Sequence, residues 1–198
     1  MNTMGQRYSW ILTAIVASLC LSGCATFHLT QEPLRNNGKK LAVIAGLTNP
    51  GSLQAAQALA DEVGKASRFQ VLPEKQVARS VPNYPQLIKG PYTSAYFEID
   101  EDYTKTDVSR VNEIQKQLGV DYLYILWAPT SVQSGGKGLF FKNYPLVHVV
   151  AQVFEFPGAK EIGRGKYMIR FDDDRKELLR DDLATVAKEF AEKTRMPR

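Results

Sequence analysis

The stretch from Lys39 to Leu47, KKLAVIAGL, decides the fold of this 198-residue chain. Its apolar run is short and continuous, and turn-forming residues stand on both sides of it. A run of this kind is typical of a central strand that is buried on both faces of a sheet. The sequence therefore predicts that residues 39–47 form an inner strand, and the neighbouring segments are interpreted around it.

Helix and strand signals alternate after this strand. Thr48 or Asn49 can cap a helix that has Pro50 in its first turn and that extends to about residue 67. Residues 69–72 predict a second short strand, and residues 74–81 predict one or two helical turns. Residues 82–104 contain several prolines and aromatic residues and interrupt the pattern with a long connection.

The second half of the chain predicts one strand, a hairpin and two helices. Asp107 caps a helix that ends at Gly119, and residues 121–127 form a third strand. Residues 146–156 and 161–171 form a hairpin around a Pro-Gly turn, and capping-box chemistry at residues 174–177 starts the last helix. The order β-α-β-α-α-β-β-β-α predicts an α/β (α+β) mixed sheet in a single three-layer-like domain over residues 39–198, with a C-terminal helix.

The amino terminus has the pattern of a bacterial export signal. Arg7 is the only charged residue before Leu21-Ser22-Gly23-Cys24, and an apolar or small-residue run from Trp10 to Leu21 precedes the cysteine. Leu21 to Cys24 resembles the lipobox of bacterial lipoproteins. An ordinary signal peptide and an uncleaved anchor are the alternatives.

The lipobox resemblance implies that Cys24 is the lipidation site. Residues 1–23 would be removed as the signal peptide, and Cys24 would carry a diacylglycerol and an acyl chain such as palmitate. Residues 24–38 would be the lipidated cysteine and a short tether. Ala25 after the cysteine implies an outer-membrane, periplasm-facing location, because lipoproteins with a residue other than Asp there are usually passed to that membrane in enteric-type bacteria. No other cofactor is expected.

Composition limits the chemistry of the mature chain. The formal charge is +4, and loss of Arg7 with the signal lowers it to +3. This mixed, mildly basic surface lacks the concentrated basic patch of a nucleic-acid-binding protein. Cys20 and Cys24 are the only cysteines in the sequence, so the domain after Cys24 has no thiol for a disulfide or a metal site.

The predicted order also resembles a group of envelope domains. The resemblance rests on the strand at residues 40–44, the helix-to-strand passage at 117–123 and the hairpin at 149–156 with its Pro-Gly turn. The group includes the amino-terminal domain of TolB, the soluble part of the curli secretion channel lipoprotein and the lipoprotein activators of penicillin-binding proteins. These motifs are strand and turn patterns, so the resemblance concerns the fold.

Several possible catalytic or ligand motifs fail on their chemistry. The glycine-rich stretches at residues 134–138 and 163–166 lack the hydroxyl residue that a phosphate-binding loop places after its lysine. Three adjacent aspartates at 172–174 fit helix capping better than a calcium site or another metal site. His148 has no serine-nucleophile motif to accompany it. A hydrolase using carboxylates, for example in the acidic cluster at residues 98–102, is left open.

The candidate partner-binding residues are aromatic. Tyr92, Tyr96 and Phe97 belong to the long connection, and Phe140 and Phe141 follow a glycine-rich stretch and stand before Lys142. Aromatic side chains supply much of the energy of protein interfaces. The alternatives are that the long connection only covers the sheet, and that the phenylalanines pack in the core or touch a membrane.

The sequence therefore predicts a lipid-anchored, non-catalytic envelope lipoprotein that acts as a protein-binding or scaffold domain near the outer membrane. Its expected partners are the membrane, through the lipid, and an envelope protein or a second copy of itself, but no nucleic acid. A self-assembling structural lipoprotein that pairs through the hairpin edge and a carboxylate-dependent envelope hydrolase are the alternatives.

Overall fold

The computed structural model describes residues 25–29, 38–66, 69–91, 106–128, 133–134, 145–170 and 180–193. The strands are β1 (Ala25–Leu29), β2 (Lys40–Ala45), β3 (Gln70–Val71), β4 (Tyr122–Trp127), β5 (Gln133–Ser134), β6 (Pro145–Glu155) and β7 (Lys160–Arg170). The helices are α1 (Pro50–Ala66), α2 (Glu74–Ser80), α3 (Val108–Leu118) and α4 (Arg180–Lys193).

All seven strands belong to one mixed sheet in the order β1-β7-β6-β4-β2-β3, with β5 paired to β6. Strand β2 is parallel to β3 and β4, whereas β6 and β7 form an antiparallel hairpin beside β4. Strands β2 and β4 finish at the same end of the sheet, which we call the carboxyl end. The opposite end is the amino end. Strand β1 is antiparallel to β7, so Ala25 lies at the carboxyl end, opposite Tyr167.

Local capping explains where the helices begin and end. Asn49 accepts a hydrogen bond from the backbone N–H of Ser52 at 2.8 Å, which selects Asn49 over Thr48 as the cap of α1. Asp107 accepts one from the N–H of Arg110 at 3.1 Å and begins α3. Gly119 ends α3 with a φ of 61°, a conformation that glycine adopts without steric cost.

Helices cover both faces of the sheet, as the sequence predicts. Helices α1 and α4 bury their apolar sides on one face, and α2 and α3 do so on the other. Strand β4 is therefore buried at every position. The helix residues in the two core layers are Ala55, Ala56, Leu59, Val63, Leu183, Val186, Ala187 and Phe190 on the first face, and Val77, Val111, Ile114 and Leu118 on the second.

The mixed fold and its nine-element order are confirmed, and two strands, β1 and β5, are added to that order. The addition of β1 changes one expectation, because residues 25–29 form an edge strand rather than part of a tether. Their sequence, ATFHL, alternates between apolar and polar residues, which is the pattern of a half-buried strand. Strand β1 also occupies the outer edge of β7, so pairing of two copies through the hairpin edge would have to displace β1.

Candidate functional site

The residues that the sequence predicts for lipidation and partner binding lie outside the described residues. They are Cys24, Tyr92, Tyr96, Phe97, Phe140 and Phe141. The structure does describe the points at which their segments join the sheet. Cys24 directly precedes Ala25, the aromatic connection lies between Pro91 and Thr106, and the second connection lies between Ala128 and Pro145.

Four of these joining points, Ala25, Pro91, Ala128 and Pro145, belong to the carboxyl end of the sheet. Ala128 follows the last residue of β4, and Pro145 begins β6 at the same end, where it pairs with Ser134 of β5. Ala25 lies there as well, in the first pair of β1 with β7. Pro91 follows Gly90, which contacts the indole of Trp127. The candidate functional site is therefore the carboxyl end.

Residues 81–91 pack onto this end around Trp127. The Trp127 indole N–H donates to the backbone carbonyl of Ile88 at 3.0 Å, and the N–H of Ile88 donates to the carbonyl of Gly46 at 3.0 Å. Trp127 is completely buried, and a Cβ atom at either Gly46 or Gly90 would come within 2.4–2.5 Å of its ring. Both glycines are needed because the backbone approaches the indole too closely for any side chain.

Tyr84 fastens the same loop to β2. Its hydroxyl accepts a hydrogen bond from the backbone N–H of Ala45 at 3.0 Å, and burial raises the pKa of this hydroxyl above its ordinary value. Asp107 donates its backbone N–H to the carbonyl of Lys89 at 2.9 Å, which ties the loop to the start of α3. Residues 81–91 therefore act as a cover, whereas residues 92–105 of the long connection lie outside the described residues.

Two large apolar side chains are exposed here, one within this cover and one at the start of α3. Leu87 is 68% exposed and Val108 is 43% exposed, and they are the exposed large hydrophobic residues of the described part of the chain. Lys89 is also exposed. Its backbone carbonyl accepts a hydrogen bond from the N–H of Asp107, the residue before Val108, so Lys89 lies close to both apolar residues. Exposure depends on tertiary packing, so the sequence pattern does not single out these three residues.

A second group of polar residues lies on the α2–α3 face of the sheet. Gln152, at the middle of β6, is completely buried and accepts a hydrogen bond from the Thr106 hydroxyl at 2.6 Å. Its amide donates to Glu161 at 2.9 Å, and Glu161 also receives a hydrogen bond from Arg164. The network satisfies a buried amide at the core, which is a structural role that links β6, β7 and the start of α3.

His148 lies on strand β6, four residues before Gln152, as the sequence predicts. It is half-buried, and burial lowers the pKa of its imidazole, with a smaller contribution from the nearby positive charge of Lys166. The described residues contain no group of three histidine, cysteine or acidic side chains that could hold a metal ion. Within the same residues, the buried polar side chains are Ser52 and Gln152, so no carboxylate is among them.

Two shallow grooves flank α1 away from the carboxyl end. One has a volume of about 410 Å³ between α1 and the start of α4, and the other has about 550 Å³ between α1 and β3. Their lining mixes apolar residues with charged ones such as Asp61 and Lys65. In the described part of the chain, no helix is both long and apolar enough to cross a membrane.

Comparison with known proteins gives distant structural likenesses only. No family model matches the chain, and no curated protein matches it. The PelC dodecamer from Paraburkholderia phytofirmans is 10% identical, covers 88% of this chain and 100% of its own, and has a TM-score of 0.48. Lipoprotein GNA1162 from Neisseria meningitidis is 12% identical and covers 79% of this chain and 96% of its own, with a TM-score of 0.45.

The C-terminal domain of LpoB from Salmonella enterica is 14% identical and covers 69% of this chain and 85% of its own, with a TM-score of 0.40. Identities and TM-scores this low carry no conclusion about the function of this chain.

Proposed function

We propose that this chain is a lipid-anchored, non-catalytic lipoprotein of the cell envelope that binds a protein partner at the outer-membrane surface. One observation carries the proposal: each segment that holds candidate residues adjoins the carboxyl end of the sheet. Cys24 precedes Ala25 there, the first aromatic connection starts there after Pro91, and the second lies between Ala128 and Pro145 there. The lipid and the aromatic residues would then work together at one end of the domain.

Palmitate labelling tests the anchor. Cells that produce the full chain are fed an alkyne palmitate, and the mature protein is examined by mass spectrometry. We expect label on the wild type and on Cys20→Ala, because Cys20 leaves with the signal peptide, and none on Cys24→Ala. Label that persists in Cys24→Ala, or an unlabelled wild type, would overturn the lipid anchor.

Photo-crosslinking in living cells tests the partner. A photoreactive residue is placed at Tyr96 and, in a second variant, at Phe140, with exposed Lys160 at the amino end as the matched control. We expect the same envelope protein at Tyr96 and Phe140 and not at Lys160, and reciprocal purification of that protein to recover this chain. Equal capture at all three positions, or none at Tyr96 and Phe140, would contradict partner binding at this end.

A further inference from the structure

We infer that the carboxyl end of the sheet lies against the lipid surface, with Leu87, Lys89 and Val108 touching it. The inference rests on the proposed lipidation of Cys24 and adds an orientation to it. It also implies that the protein partner approaches along the membrane surface, because both aromatic connections start after residues at this end, Pro91 and Ala128.

No linker separates the proposed lipidation site, Cys24, from the sheet. Strand β1 begins at Ala25, and consecutive Cα atoms are only about 3.8 Å apart, so Cys24 is one residue from a strand paired with β7. A lipid on a flexible tether would let the domain rotate freely. A lipid joined directly to a strand instead holds the carboxyl end at the membrane.

The carboxyl end exposes apolar side chains beside a lysine. The two large hydrophobic residues that are exposed within the described part of the chain, Leu87 and Val108, both lie there, and Lys89 lies beside them. Apolar side chains gain stability by leaving water for the acyl boundary, and lysines are attracted to anionic headgroups. This combination suits a lipid surface better than it suits bulk water.

At the amino end, by contrast, polar and charged groups are bound to one another. The ammonium group of Lys39 donates to the hydroxyl of Tyr122 at 3.5 Å, and that hydroxyl donates to Glu155 at 3.1 Å. The N–H of Lys40 donates to the Asp121 carboxylate at 2.8 Å. Groups of this kind are stable in water and would lose hydration against lipid.

The dimensions agree with this orientation. The carbonyl of Gly46 accepts the N–H of Ile88, the residue after Leu87. Gly46 follows β2, which is four strand spacings, or about 19 Å, from β1 in the sheet. Lys160 is seven residues along β7 from Tyr167, the partner of Ala25, or about 23 Å toward the amino end. Labels at Leu87 and Lys160 should therefore lie at clearly different depths.

Depth-dependent fluorescence quenching tests the orientation. Leu87→Cys, Val108→Cys and the control Lys160→Cys are made in the full chain and purified in lipidated form. Each new thiol is the only reactive one, because Cys20 leaves with the signal and the lipid blocks Cys24. An environment-sensitive fluorophore is attached to the new thiol, and the labelled protein is bound to vesicles of phosphatidylethanolamine and phosphatidylglycerol. The vesicles carry a nitroxide quencher either on the lipid headgroup or on the acyl chain.

We expect the labels at Leu87 and Val108 to be quenched at least twofold more than the label at Lys160. Equal quenching at the three positions, or stronger quenching at Lys160, in a lipidated and vesicle-bound protein would overturn the orientation alone. A free thiol at Cys24 with no binding to vesicles would overturn the proposed function and the orientation with it.

Discussion

At the scale of single residues, Gly46 is a position where the backbone lies directly against the ring of Trp127. An added Cβ would lie 2.4 Å from the indole nitrogen of Trp127, which is buried and bonded to Ile88. We expect Gly46→Ala to lower the free energy of unfolding by about 1–3 kcal/mol, since the ring has to shift in a packed core. Urea unfolding measures this change, with Gly64→Ala as the control.

Gly64 is a matched control because its added Cβ meets only Val71, at 3.9 Å, and because it lies within α1. Alanine is favoured over glycine inside a helix, so this variant should gain about 0.5–1 kcal/mol. Equal free energies of unfolding for the two variants would show that Trp127 does not hold the carboxyl end as tightly as its contacts indicate.

His148 makes the stability of the domain depend on pH. Burial, assisted by Lys166, lowers the pKa of its imidazole in the folded state below the ordinary value of 6.5. As pH falls through 6.5, the unfolded chain takes up a proton at this residue before the folded chain does, so the free energy of unfolding decreases. We expect His148→Gln to flatten this decrease in urea unfolding at pH 7.5, 6.5 and 5.5. If the free energy of unfolding depended on pH equally in the wild type and in His148→Gln, His148 would not be the source of this dependence.

At the scale of elements, the sequence predicted the helix caps and the buried strands, which depend on residues close together in the chain. The caps at Asn49, Asp107 and Gly119 and the apolar strands β2 and β4 are confirmed, because each is specified by neighbouring residues. Strand β1 was not predicted, since its partner β7 lies more than a hundred residues away in the chain. The exposure of Leu87 and Val108 likewise depends on tertiary packing. The partner-binding role of the aromatic residues at 92, 96, 97, 140 and 141 stays a prediction.

Strand β1 protects the edge of β7, which gives an element-scale prediction. A soluble form that begins after the signal and carries Cys24→Ser is compared with the same form lacking residues 25–29. We expect the shortened form to self-associate with increasing concentration, because removal of β1 exposes the unpaired backbone of β7. Light scattering after size exclusion measures the mass. The same mass for both forms at every concentration would show that β1 does not protect this edge.

At the scale of the whole molecule, the two ends of the sheet have different tasks. The amino end holds polar and charged groups that bind one another. The carboxyl end combines the cover of residues 81–91, exposed apolar residues and the start of β1. Because Cys24 directly precedes β1, the proposed lipid would hold the carboxyl end, and not the amino end, at the membrane. A linker placed at the join should therefore abolish the orientation without removing the anchor.

Insertion of twelve glycine and serine residues between Cys24 and Ala25, with an alanine kept after the cysteine, tests this argument. Such a linker spans about 20 Å on average, which is comparable to the distance between the two ends. We expect membrane binding to persist while the quenching contrast between Leu87 and Lys160 falls toward one. The same insertion after Gly158, in the exposed hairpin turn at the amino end, should leave the contrast intact. A contrast that survives both insertions would mean that Leu87, Lys89 and Val108 hold the domain in place by themselves, because the covalent join would then contribute nothing to its orientation.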